Sequence, residues 1–435
     1  MKTNERNYMK TLKQIYTENM AYNQIDPSLY ARYRVKQGLR NENGTGVKVG
    51  LTKICDVVGY QMVHGKKHNI DGQLIYRGYS VDDLIRMQSG DMVDGYEQVA
   101  FLLIMGRLPD QEELAQFKTI LKDEINTNMI DEQYETKSIL NALQIEILKL
   151  YGDDPNPDDD ELPDRMQKGI SILASIPLFV FSQYHHTLFT KYPLHDKGLA
   201  ENILVLARNE ENYTLQEARL MDTLLMLHAD HGGGNNSTFA NVVITSTGTD
   251  IYSCISAAIG SLKGPRHGGA AQKVSGQFDA LIHSCKNGWD DQKLEEIAYS
   301  LLAKEYYDRA GLIYGIGHAI YTKSDPRAVL IKEESRKLAI EKGLEDEFEL
   351  FSHFERAACK AMKRVKGIDC CANVDFYSGF AYRMLGIDSS LFTSMFSISR
   401  CAGWIAHHLE NRQSNRKLIR PANIYVGERK GSYND

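Results

Sequence analysis

The sequence predicts a mainly α fold with a small β element near its N-terminus. Three observations carry this. Apolar residues recur at helical spacing through most of the chain, helix start and stop signals bracket those stretches, and alternation at a period of two is confined to residues 46–77.

The strand signals come first. Val47, Val49 and Leu51 alternate with polar residues, and Gln73-Leu74-Ile75-Tyr76-Arg77 follows an Asp71-Gly72 turn signal. A helix with the core Val99-Ala100-Phe101-Leu102-Leu103 then ends at Gly106, because glycine takes the left-handed C-terminal position without a Cβ clash. Asp110 is an N-cap with Glu113 three residues on, and Leu114, Phe117 and Leu121 fall on one face of the next helix. The same periodicity predicts helices at 136–151, 197–208, 214–230, 291–305, 325–342 and 346–365, and another after Gly269. No repeat of fixed period occurs. Residues 153–161 carry two prolines and six acids, which forbid a stable helix; they read as a solvated loop, since the glycine and spaced oxygen ligands of an EF-hand are missing.

Composition excludes several classes of function. At 435 residues the chain suits roughly three domains or two larger ones. With 43% apolar and 25% charged residues it has material for a core, so disorder is excluded as its main state. A net charge of −6 with no basic stripe argues against nucleic acid. Seven cysteines without CxxC spacing read as reduced thiols of a cytoplasmic protein rather than a disulfide scaffold. Met1-Lys2-Thr3-Asn4-Glu5-Arg6 leads into a polar stretch without a signal peptide's apolar region, and the most apolar stretch, 170–181, is broken by serines and Pro177, so no membrane span is expected.

Four segments concentrate glycines and chemically capable side chains. In Leu227-His228-Ala229-Asp230-His231-Gly232-Gly233-Gly234-Asn235-Asn236, two histidines three apart project from about the same face at a helix end. This segment fits a capped helix end, a substrate site or a metal site, although its spacing is not HExxH. In Lys263-Gly264-Pro265-Arg266-His267-Gly268-Gly269, His267 stands just before a helix, whose positive end disfavours imidazolium and leaves a neutral donor for a carbonyl. In Gly315-Ile316-Gly317-His318-Ala319-Ile320-Tyr321-Thr322-Lys323-Ser324-Asp325-Pro326-Arg327, an arginine nine positions after a histidine suits a substrate with a carboxylate beside a carbonyl. In Asn373-Val374-Asp375-Phe376-Tyr377-Ser378-Gly379, Asp375 among apolar groups is a plausible general base, although such an aspartate also serves as a helix cap.

Taken together, His-Gly-Gly-Ala, Gly-x-Gly-His-x6-Asp-Pro-Arg and Asn-Val-Asp-Phe-Tyr-Ser-Gly, in this order, resemble the citrate synthase family, from Tyr76-Arg77-Gly78-Tyr79 to Arg420-Pro421. The resemblance implies a two-domain helical fold, with 1–267 and 381–435 forming a large domain and 268–380 a small one that closes over the substrates. It implies condensation of acetyl-CoA with oxaloacetate and hydrolysis of citryl-CoA. His267, His318 and Asp375 fall on its catalytic positions, and His231, Arg327 and Arg400 on positions that hold oxaloacetate. Arg420 matches a position reaching in from the second subunit of a homodimer. Leu312, Ile313, Tyr314, Gly315, Ile316 and Gly317 match the loop that contacts CoA, with Lys323 and Lys366 as candidates for its phosphates. Neither metal nor cofactor is implied, and no nucleic-acid or membrane partner.

The chain departs from the family pattern at Gly232-Gly233-Gly234, Arg266 and Ile316, which leaves acetyl-CoA and propionyl-CoA, and hence a 2-methylcitrate synthase, both open. A metal-dependent hydrolase built on His228, Asp230, His231 and His318, and a non-catalytic CoA-binding protein, are the alternatives from other classes.

Overall fold

A computed structural model describes residues 12–88, 90, 92–129, 134–414 and 417–427; the segment 1–6, read above for a signal peptide, lies outside the described residues. Contacts divide the chain into two units, Met1–Val49 with Arg420–Asp435, and Gly50–Ile419.

In the first unit, α1 (Leu12–Glu18) and α2 (Ser28–Arg32) precede a turn closed by Asn41 N–H donating to the Thr45 carbonyl at 2.8 Å. The alternation at 47–51 is not a strand. Val49 and Leu51 are exposed, so the alternating residues have no sheet neighbour to cover them, and the one pairing nearby is an isolated bridge between Arg40 and Gly46.

The second unit opens with an antiparallel sheet of β1 (Cys55–Val63), β2 (Lys66–Tyr76) and β3 (Tyr79–Ser80), paired in that order. The hairpin turn is His64-Gly65, with φ of 49° and 75°, not Asp71-Gly72. Two positive φ angles match the twist of a tight hairpin. Gly72 lies inside β2, where a Cβ would collide with the Ser324 carbonyl and the Tyr321 ring, and Gly59, at a register shift in β1, faces the Ile320 carbonyl at similarly close range. Both glycines let the hairpin lie directly on the 320–326 segment.

The helices follow: α3 (Val81–Arg86), α4 (Gly95–Met105), α5 (Gln111–Asp123), α6 (Ile139–Asp153), α7 (Leu162–His185), α8 (Leu199–Arg208), α9 (Leu215–His228), α10 (Asn236–Thr245), α11 (Ile251–Leu262), α12 (Ala270–Cys285), α13 (Asp291–Leu302), α14 (Pro326–Lys342), α15 (Glu345–Lys366), α16 (Val374–Met384) and α17 (Phe392–Ser414). The signals at 106–113 act as expected: Gly106 ends α4 at φ 89°, and Asp110 and Glu113 form a reciprocal capping box on α5. Pro177 does not break its stretch; α7 runs through it for 24 residues. No described helix is long and apolar enough to cross a membrane.

The 153–161 loop is held more firmly than a solvated loop. Asp154 pairs with Lys168 at 2.8 Å and accepts from Tyr252, and Asp160 pairs with Arg412. At the centre of the core, α17 packs against α4, α7, α9, α10 and α11 and buries Trp404 completely. α14 lies against α9, α16 and β2, so the segment before it is framed by helix and sheet together.

Candidate active site

α17 supplies the first buried cation. Arg400 is fully buried; its Nε donates to the His228 carbonyl at 2.6 Å, while Nη1 and Nη2 have no protein partner. One turn earlier on the same helix, Phe396 packs on His228 with ring centroids 4.2 Å apart and lies 4.9 Å below the Arg400 guanidinium. Two turns later, His407 Nε2 lies 3.0 Å from Asp230 Oδ2, so α17 grips the end of α9 at both points. A guanidinium does not lose its proton in a protein, so these unpaired donors require an anion or another acceptor.

Of the two histidines at the end of α9, each has a different setting. His228 Nδ1 lies 2.7 Å from the Leu224 carbonyl, which fixes the proton there, and burial lowers its pKa to about 3. His231 lies beyond the helix with Nε2 unpartnered; burial, and then the charges of Arg327, His318, Arg400 and His267, hold it well below the usual histidine range. Its ring meets His318 edge-on at 5.1 Å. With Asp230 engaged by His407, and no metal-holding group of three or more His, Cys, Asp or Glu among the described residues, the metal-hydrolase set finds no support.

His318 is oriented by its own loop. The backbone N–H groups of Ile320 and Tyr321 each donate to Nδ1 at 3.1 Å, so that nitrogen is an acceptor and Nε2–H is the ring's donor. Arg327, in the first turn of α14, is buried and already gripped in two-pronged fashion. Its Nε and Nη2 meet Asp325 at 3.0 and 2.7 Å, leaving Nη1 outside the pair. Asp325 is also the N-cap of α14.

Asp375 is the second residue of α16, but it is not the cap. Asn373 takes that role, accepting from Asp375 N–H at 3.0 Å, and the Asp375 carboxylate is left for other work. Burial raises its pKa to about 6; Arg327 and Arg400 draw it down, and Asp325 pushes it up. His267 lies in the turn before α12, with Nε2 3.2 Å from Asn235 Oδ1. Its pKa falls to about 4, first through burial and then through Arg400.

The 312–317 loop is sewn to the segment that carries Asp375. Ile316 bridges Ala372, Gly317 N–H donates to the Cys371 carbonyl at 2.8 Å, Asn373 N–H donates to the Gly315 carbonyl at 2.8 Å, and Asn373 Nδ2 donates to the Gly317 carbonyl at 2.9 Å. Gly315, at φ 81°, lets Phe376 pack on its backbone. Ile313 and Ile316 are buried, Tyr314 is half-buried and Leu312 is exposed, as are Lys323 and Lys366.

The structure therefore brings His231, His318, Arg327 and Arg400 together, with His267 and Asp375 within their electrostatic reach. Arg420 belongs to the first unit and is exposed. Sequence reasoning missed the supporting residues Asn235, Asp325, Asn373 and His407. Asp325-Pro326 and Asn373 were readable as cap signals; His407 had no sequence signal.

Residues 41–422 match the family model described as citrate synthase, C-terminal domain. Citrate synthase 2 of Bacillus subtilis is 36% identical over 372 residues, which cover 84% of this chain and 93% of that protein. The 2-methylcitrate synthase of Shewanella oneidensis is 33% identical, covering 81% and 88% respectively. Among solved structures, the ternary complex of carboxymethyl coenzyme A and oxaloacetate with citrate synthase from Thermoplasma acidophilum matches with a TM-score of 0.74 at 25% identity, over 92% of this chain and 98% of that one.

Proposed function

The chain belongs to the citrate synthase family, a family of acyltransferases, and from that premise we propose how its own residues condense acetyl-CoA with oxaloacetate. The observation that carries the proposal is the convergence of Arg327, Arg400, His231 and His318, with the Arg400 Nη atoms and His231 Nε2 lacking any protein partner. Buried donors without acceptors are costly, and a dicarboxylate supplies the missing acceptors.

Oxaloacetate binds first, its carboxylates on Arg400 and on Nη1 of Arg327, its ketone on Nε2–H of His318. That hydrogen bond polarises the ketone. Asp375 then removes a proton from the acetyl methyl group, and His267, kept neutral by its surroundings, stabilises the enolate oxygen of the thioester. The enol carbon attacks the ketone, His318 protonates the resulting alkoxide, and water cleaves citryl-CoA to citrate and CoA. Residues 312–317 receive CoA, with Lys323 and Lys366 near its phosphates.

Closure of a small domain, 268–380, over a large one formed by 1–267 and 381–435 shields the intermediate from water. We further propose a cytoplasmic homodimer, with Arg420 of each subunit completing the other's site. The reaction as proposed needs no metal or prosthetic group. Similarity to a 2-methylcitrate synthase keeps propionyl-CoA as the second reading. A pocket separates substrates differing by one methylene by only about 1–3 kcal/mol. Measuring kcat/KM for both thioesters with oxaloacetate tests the proposal: preference for acetyl-CoA supports it, preference for propionyl-CoA replaces it with the second reading, and turnover of neither rejects it.

A further inference from the structure

The proposed condensation needs His318, His231 and Arg327 held at fixed angles, and one side chain with no role so far touches all three. Tyr321 is 1% exposed. Its ring stacks on His318 with centroids 4.7 Å apart and planes at 25°. It meets His231 edge-on at 5.7 Å and 73°, and the Arg327 guanidinium carbon lies 5.8 Å from its centroid. The Tyr321 backbone N–H donates to His318 Nδ1, so main chain and ring act on the same imidazole. The hydroxyl donates to the Gln73 carbonyl on β2 at 3.1 Å. Burial pushes the phenol far above its ordinary range, so it remains a donor.

Two other buried tyrosines fill the core and satisfy their hydroxyls: Tyr192 donates to the Ala174 carbonyl at 2.7 Å, and Tyr96 to the Ser399 carbonyl at 3.0 Å. Tyr321 has its hydroxyl anchored in the same way, but its ring is spent on ionisable groups of the site. An aliphatic side chain could fill the volume. It would offer neither a flat surface to set the imidazole plane nor a π face to a guanidinium.

We propose that Tyr321 is a positioning residue: its ring aligns His318 and Arg327 for oxaloacetate, and its hydroxyl pins that assembly to the β-hairpin. The inference rests on the reaction proposed above. It divides the side chain into two parts, with alignment in the ring and anchorage in the hydroxyl.

Tyr321→Phe and Tyr321→Leu separate these parts. For each, kcat, KM for oxaloacetate and the thermal midpoint are measured, together with the 13C shift of the ketone carbon of bound oxaloacetate, which reports how strongly His318 polarises it. In Tyr321→Leu, kcat should fall about 10–100-fold, as for a small misplacement of a reacting group, and the ketone resonance should move back toward its position in free oxaloacetate. In Tyr321→Phe, both should stay close to wild type while the midpoint drops. Tyr321→Met, with a longer and more adaptable chain, serves the same comparison if the leucine variant does not fold. A leucine or methionine variant with the wild-type resonance reduces Tyr321 to packing and overturns the inference, whatever its midpoint. A phenylalanine variant as impaired as leucine also overturns it. Wild-type protein that binds no oxaloacetate rejects the proposed reaction itself, and the inference with it.

Discussion

Asp375 owes its availability to Asn373. Had the aspartate capped α16, its carboxylate would be tied to backbone N–H groups and its pKa would fall; with Asn373 in that place, burial dominates and raises it to about 6. As the proposed base, Asp375 must be ionised to accept the methyl proton, so kcat/KM of the free enzyme should drop as pH falls through about 6, with the loss complete well below it. A pH–rate profile checks this. Asp375→Asn should lower kcat by about 10²–10⁴-fold, the usual worth of a general base, while oxaloacetate still binds; near-normal turnover would exclude Asp375. The sequence showed which residue types were present but not what governs them. For His267 the expected depression of pKa is there, but α12 begins only at Ala270, and burial rather than the helix end is its main cause. Burial is set by distant parts of the chain, which local sequence does not reveal.

At the level of elements, the hairpin of β1 and β2 serves the site rather than the core alone. Gly72 has no room for a Cβ against Ser324 and Tyr321, so Gly72→Ala must push β2 off the segment between His318 and Arg327. Overpacking of this kind costs about 1–3 kcal/mol, and we expect KM for oxaloacetate to rise with it; chemical denaturation and steady-state kinetics measure the two effects. Asp110→Ala is the contrasting case. It removes half of a capping box on α5 and should cost about 1 kcal/mol with kcat unchanged, since α5 carries none of the site residues. Helices such as α5 were legible because caps and apolar stripes are local signals. The hairpin register was not: Asp71-Gly72 has the composition of a turn, and only the tertiary approach of Ser324 explains a glycine in mid-strand. The alternation at 47–51 misled for the same reason, because period two marks a strand only where a neighbour covers one face.

For the whole molecule, the proposed order of binding has a thermodynamic signature. If oxaloacetate draws Arg327, Arg400 and His318 together and so favours closure, it must tighten binding of a CoA analogue, and the analogue must tighten oxaloacetate by the same factor. Calorimetry in both orders checks this, and independent binding would contradict it. The proposed role of Arg420 can be read from mixed dimers that pair His267→Ala with Arg420→Ala. If Arg420 acts across the interface, one site per heterodimer has every group intact and about half of the activity returns. If it acts within its own chain, each site carries one lesion and none returns. Leaving a carboxylate without its guanidinium in a closed site is costly, which is why Arg420→Ala alone should be severe; His267→Ala should be severe through loss of the donor proposed for the enolate oxygen.

The short ladder between 315–317 and 371–373 has a further consequence, for how the protein can change. Ile316 pairs with Ala372, three residues before Asp375, and Asn373 bonds Gly315 and Gly317 on either side of it. A substitution at Ile316 therefore also shifts the segment that carries Asp375, the proposed base. Its effect should not add to that of a change at Asn373, and a double-mutant cycle on Ile316→Ala and Asn373→Ala should show a coupling energy of about 0.5–3 kcal/mol in kcat/KM. With residues 312–317 receiving CoA and Asp375 acting as base, as proposed, thioester recognition and proton abstraction become a single inherited trait: a lineage that alters one must retune the other, and substitutions at these two positions should become acceptable only in company.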